Sequence, residues 1–168
     1  MMTMMHASRV VGAVAVVATV LTASVRAIGP TPLPDVKLTT LEGKAGSTAM
    51  LPKDGHWLIV YVRPGCAPCS AVLAAAAAHQ QPLGQQLVVI VAAAPAEGAT
   101  KLVADRPELA DASWFVDADG SFGKALDVHE APVILGVAGR TIQWSVAGVL
   151  SGGTRTRSVM ASWVEKGL

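Results

Sequence analysis

The chain has 168 residues, enough for one domain with its own core. A formal net charge of +1, with no basic run and no interleaved aromatic patch, gives no electrostatic argument for nucleic acid. Two cysteines allow one bridge, too few for a disulfide-stapled scaffold, and the hydrophobic fraction of 52% is inflated by alanine and by the N-terminal segment.

Residues 1–27 read as a signal peptide or an N-terminal membrane anchor. His6 and Arg9 precede an uncharged Val-, Ala- and Leu-rich stretch from Val10 to Val25, which is short beside the roughly 20 residues of a membrane span. Ala27, with Val25 two before it, offers a signal-peptidase site, and Ala23 a second one. An uncleaved anchor holding the domain at the outer face of the membrane is the other reading. The lack of a cysteine near this junction argues against a lipoprotein anchor. Residues 28–35 carry Pro30, Pro32 and Pro34 and are expected to form an extended or irregular linker, so the domain proper is placed at 36–168.

Within that domain, Val36 to Leu41 alternates like a strand, Glu42-Gly43-Lys44 is a turn, and Ser47 to Leu51 is expected to return as the second strand of a hairpin. Pro52 to Gly55 is a turn before the apolar run Trp57 to Val62. After Cys66 and Cys69 an alanine-rich run to His79 predicts a helix, broken by Gln80 to Gly84. Leu87 to Val91 is continuously apolar, as in a strand buried on both faces. A helix is expected around Gly98 to Asp105, ended by Arg106-Pro107, then a short strand at Trp114 to Val116. Asp117 to Gly120 reads as a turn, with Ser121 capping a brief helix over Phe122 to Leu126. Val133 to Val137 and Thr141 to Val146 form a hairpin, Gly148 to Gly153 a glycine-rich loop, and Thr154 to Lys166 an amphipathic helix with Val159, Met160, Trp163 and Val164 on one face.

The chemistry concentrates at Arg63-Pro64-Gly65-Cys66-Ala67-Pro68-Cys69-Ser70, which holds both cysteines with two residues between them. A C-x-x-C pair between a strand and a helix is a thioredoxin-like redox signature. The spacing leaves one sulfur exposed at the helix N-terminus and the other behind it, within bridging reach. The free N–H groups and dipole of that helix end favour a thiolate on Cys66, and such motifs lower a thiol pKa from about 8.5 to roughly 3.5–7.5. Pro68 suits an early helical position, because it has no N–H to lose. Cys66 is therefore the expected nucleophile and Cys69 the resolving thiol.

Over roughly residues 33–168 the chain resembles the TlpA/ResA-type thioredoxin-like thiol–disulfide oxidoreductases. The resemblance rests on the N-terminal hairpin around Val36-Lys37-Leu38 and Leu41-Glu42-Gly43-Lys44, on Cys66-Ala67-Pro68-Cys69, on an extra strand–helix element between the two halves of the core, and on Val116-Asp117-Ala118-Asp119-Gly120 through Pro132-Val133-Ile134-Leu135. It implies an α/β thioredoxin fold, a central mixed β-sheet flanked by helices, with an N-terminal β-hairpin and a central strand–helix insertion. It implies that Ala131-Pro132 is cis beside the active-site disulfide, and that the Ala131 backbone pairs with a substrate strand. The implied function is disulfide exchange with periplasmic client proteins, such as cytochrome c apoproteins, in the reducing direction, recharged by a membrane-embedded electron donor and needing no cofactor. Oxidation or isomerisation by the same fold is the alternative.

Two departures stand out. Gly65 occupies the position before the first cysteine, where the family has tryptophan, so the surface offered to a substrate is expected to be flatter and less apolar. Val60 stands where many thioredoxins carry a buried acid. Rival readings rest on the same residues. A copper-binding SCO-like metallochaperone would use Cys66 and Cys69 with His79 or His129, yet those relatives separate their cysteines by three residues. Pro64-Gly65-Cys66 resembles peroxiredoxins, whose required threonine and proline are replaced by Arg63 and Ile59. A purely structural bridge closing so short a loop stabilises little.

Overall fold

The apolar run that precedes the cysteines forms the middle of the sheet. The computed structural model describes residues 30–78, 83–92, 97–150 and 153–166; the 1–27 segment and His79 lie outside the described residues. Strand β4 (His56–Val62) is buried from Trp57 onward, because both of its faces are covered. It pairs in parallel with β5 (Leu87–Val91), and antiparallel with β7 (Val133–Ala138). The remaining strands are β1 (Thr31–Pro32), β2 (Lys37–Thr40), β3 (Ala45–Ser47), β6 (Ser113–Val116) and β8 (Thr141–Ala147). Their order across the eight-stranded sheet is β1-β8-β7-β4-β5-β6-β2-β3. This is the mixed α/β sheet that the resemblance implies.

Alternation along β4 divides the core in two. Leu58, Val60 and Val62 face helix α1 (Ala67–Ala77) and helix α4 (Gly153–Glu165), meeting Val72 and Leu73 from the first, Met160 and Val164 from the second. Trp57, Ile59 and Tyr61 face the other way, toward Leu33, Leu38, Phe122, Leu135 and Ile142. Helix α2 (Glu97–Ala104) and strand β6 form the insertion, and β6 carries the sheet outward to the N-terminal hairpin through its antiparallel pairing with β2.

Three local expectations change. The returning strand of the hairpin ends at Ser47, and Thr48–Met50 is a 3-10 turn. Thr48 is buried there, donating to the Pro34 carbonyl at 2.7 Å and accepting from the Val36 N–H at 3.1 Å, bonds that a continued strand would break. Within the expected linker, Thr31 and Pro32 pair with Ile142 and Thr141 as an edge strand, and Leu33 is buried in the second core. Helix α3 (Ser121–Ala125) is capped by Asp117 instead of Ser121: its carboxylate accepts from the Phe122 and Gly123 N–H groups, each at 3.1 Å.

One glycine fixes the β7–β8 hairpin. Trp144 lies flat over Gly136, and a Cβ there would fall 2.1 Å from the indole. The Trp144 ring meets Trp163 edge-on at 5.7 Å, and Trp163 Nε1 donates to the Trp57 and Val137 carbonyls, tying α4 to the sheet.

Candidate active site

The cysteines sit where β4 gives way to α1. The connection turns at Gly65, whose φ of +71° is one that side chains adopt at a cost. Cys66 is the N-cap of α1, and Pro68 occupies the first turn, where its missing N–H costs nothing. The two sulfurs form a disulfide with Cα atoms 5.2 Å apart. Their environments differ. Cys66 is half-buried, whereas Cys69 is fully enclosed among the apolar side chains between α1 and the sheet. Each sulfur faces a backbone amide: the Cys69 N–H donates to Cys66 Sγ at 3.1 Å, and the Arg63 N–H lies 3.5 Å from Cys69 Sγ.

The second wall of the site is the connection from α3 to β7. The Ala131–Pro132 peptide is cis, and the Ala131 carbonyl oxygen lies 3.6 Å from Cys66 Sγ. Pro132 is buried and its carbonyl accepts from the Gly148 N–H at 2.8 Å. Arg63 joins the two walls directly, its guanidinium donating to the His129 carbonyl at 2.7 Å. The fold thus brings Cys66, Cys69, Ala131 and Pro132 together. Gly65 is exposed at the lip, and a Cβ added there would meet nothing within 4 Å. Among the described residues the surface before Cys66 is accordingly open, with no aromatic side chain at position 65.

Val60 is buried on the cysteine side of β4, with no acid in its place. Asp117 is the one buried charged side chain among the described residues, and it stands on the opposite face. It accepts the Tyr61 hydroxyl at 3.0 Å, and burial, followed by the Asp117 charge and that hydrogen bond, pushes the Tyr61 phenol far above its usual range. The sequence placed Asp117 in a turn and carried no signal that its carboxylate points inward. His129 and Asp127 are both exposed, with His129 Nε2 2.9 Å from Asp127 Oδ1, and among the described residues no three His, Cys, Asp or Glu side chains converge in a way that could hold a metal. Among the described residues, no helix is long and apolar enough to cross a membrane.

No protein-family model and no curated protein matches the chain. Solved structures do. A putative thiol:disulfide interchange protein DsbE from Chlorobium tepidum superimposes with a TM-score of 0.68 at 14% identity, over 84% of this chain and 99% of that one. A secreted Mycobacterium tuberculosis disulfide oxidoreductase homologous to E. coli DsbE gives 0.58 at 18% identity, over 76% and 95%. An exposed lipoprotein thioredoxin from Streptococcus pneumoniae gives 0.57 at 15% identity, over 79% and 99%. At such identities the likeness is one of architecture: the chain has a thioredoxin-like fold, with its disulfide at the start of a helix and a cis-proline beside it.

Proposed function

We propose that the protein is a thiol–disulfide oxidoreductase of the TlpA/ResA type, acting outside the cytoplasm on disulfides of client proteins. The observation that carries this reading is the asymmetry of the pair: a half-exposed Cys66 capping α1, bridged to a fully buried Cys69 and touched by the Ala131 carbonyl. An exposed nucleophile backed by an enclosed partner suits a two-step exchange.

In the reducing direction the Cys66 thiolate attacks one sulfur of a client disulfide. A Cys66–client bond forms, the client S–S bond breaks, and the second client sulfur leaves as a thiolate that takes up a proton. Cys69 loses its proton and attacks Cys66 Sγ, so the Cys66–Cys69 disulfide forms and the first client sulfur departs. Two electrons pass from protein to client. The Cys69 N–H, 3.1 Å from Cys66 Sγ, and the positive end of α1 stabilise negative charge on that sulfur. The Ala131 backbone pairs with the client strand, and the open lip at Gly65 admits it. A membrane-embedded donor restores the dithiol, and residues 1–27 serve as export signal or tether.

Reduction of insulin by dithiothreitol tests the chemistry: wild type accelerates precipitation, and Cys66→Ser is expected to be inert. Equal activity of the two would end the reading. The potential, measured against glutathione buffers, decides direction. A value near about −270 mV marks a reductase, and one near about −120 mV an oxidase.

A further inference from the structure

Helix α3 has five residues, a length of about 7.5 Å, while β7 and β8 run about 20 Å. It therefore covers only part of the face of β7 and β8 opposite the cysteines. The result is a groove of about 700 Å³ with Val133, Leu135 and Ile142 on its floor and Val128 in its wall. Asp127 and Glu130 stand on its rim, and among the described residues no lysine or arginine lines it. The wall belongs to the same connection that reaches Cys66: after Glu130 comes Ala131, whose carbonyl touches the disulfide, and Arg63 holds the carbonyl of His129, just before Glu130.

This placement restricts the path of any polypeptide paired with Ala131. Immediately beyond it, β7 is flanked by β4 on one side and β8 on the other, so a client strand cannot continue in the plane of the sheet. The face toward the cysteines is closed by α1 and α4. Among the described residues the groove is the face left open. Val133 and Leu135 lie two and four residues beyond Ala131, about 7 and 13 Å along an extended chain.

We propose that the groove takes an apolar side chain of the client, two to four residues from the cysteine under attack, with a client Lys or Arg lying over Asp127 and Glu130. The proposal rests on the oxidoreductase reading and names the substrate class of that site.

The test uses the reduced full chain and short extended peptides, each with one cysteine in mixed disulfide with thionitrobenzoate. Attack of Cys66 on the peptide sulfur releases thionitrobenzoate, which is followed by its absorbance, and Cys69 then frees the peptide thiol. Peptides carry Leu or Ser three residues to either side of the cysteine, followed by Lys or Glu. In at least one of the two placements, Leu is expected to raise kcat/KM about tenfold over Ser, as partial burial of its side chain allows, with Lys preferred over Glu. Ala147→Trp, which fills the groove from a half-buried position, is expected to bring the Leu-to-Ser ratio near one. Glu130→Lys, at an exposed site, is expected to reverse the Lys preference. Ratios within one protein cancel any general loss of exchange.

Equal rates for Leu and Ser peptides with wild type overturn the proposal, as does a ratio untouched by Ala147→Trp when Glu130→Lys also changes nothing. If wild type sediments as a dimer and Ala147→Trp as a monomer, the groove belongs to self-association and the client proposal falls. Release no faster than with Cys66→Ser, for every peptide, refutes the oxidoreductase reading itself and the proposal with it.

Discussion

Asp117 and Cys69 lie on opposite faces of one sheet, the carboxylate held by Tyr61 and α3, the sulfur enclosed between β4 and α1. No buried carboxylate among the described residues can reach the Cys69 proton. The thiolate is the attacking species, so the resolving step needs a proton acceptor other than a buried carboxylate. Release of a client from a Cys66 mixed disulfide is expected to accelerate as pH rises, because solvent then takes the Cys69 proton more readily. Stopped-flow tryptophan fluorescence on a preformed adduct measures this, and a flat profile would show that another group removes the proton.

Tyr61 is the only tyrosine in the sequence, so tyrosinate absorbance near 295 nm reports one group. Its folded-state pKa is raised above the unfolded value, so the folded protein holds that proton more tightly. The associated stability is fully present below about pH 10 and is lost as pH rises above it. Little tyrosinate is expected at about pH 10.5 in the folded protein, and its appearance should coincide with loss of tertiary circular dichroism. A titration centred at about 10 in the folded state would contradict the buried pairing.

Removing the carboxylate beneath α3 leaves two backbone N–H groups and a phenol without their acceptor. Asp117→Ala is expected to destabilise the protein by at least about 3 kcal/mol, and Tyr61→Phe by about 1 kcal/mol. Urea unfolding of the oxidised protein gives both numbers. Similar small costs for the two variants would mean that Asp117 does not organise α3.

Gly136 leaves no room for a methyl group under Trp144. Gly136→Ala is expected to cost at least about 1–3 kcal/mol through displaced indole packing, with a shift in tryptophan emission. Gly65→Ala makes a useful contrast, because nothing crowds a Cβ there and only its positive φ opposes the change. About 1–2 kcal/mol is expected, with the emission spectrum unchanged.

Arg63 is exposed, and its bond to the His129 carbonyl crosses from the cysteine turn to the cis-proline connection. Arg63→Ala is expected to change global stability by less than about 1 kcal/mol. Hydrogen exchange of the Gly148 amide, which donates to the Pro132 carbonyl, should nonetheless quicken. Unchanged exchange would show that the guanidinium does not restrain that connection.

The parts legible in the sequence were those that local periodicity and spacing encode. Trp57 to Val62 and Leu87 to Val91 are apolar throughout because both faces are covered, and the two-residue gap between Cys66 and Cys69 places both at one helix start. Long-range partners were not legible. Thr48 ends a strand only because Pro34 and Val36 lie beside it, and Thr31 joins the sheet only because β8 passes there. Asp117 looks like a turn residue until Tyr61 is brought across the sheet to meet it. The cis peptide at Ala131–Pro132 came from family resemblance, since nothing local in Glu130-Ala131-Pro132 distinguishes it from an ordinary proline. The groove depends on how short α3 is relative to the strands behind it, a comparison between separate segments of the chain.

The brevity of β1 and β3 has its own consequence. Among the described residues, strands of two and three residues end the sheet on either side, and Pro32 has no N–H to offer a neighbour. A foreign strand therefore finds little border on which to add itself, which guards against edge-to-edge aggregation. Under the proposed exchange, a client's main chain pairs at Ala131 and not along these short borders.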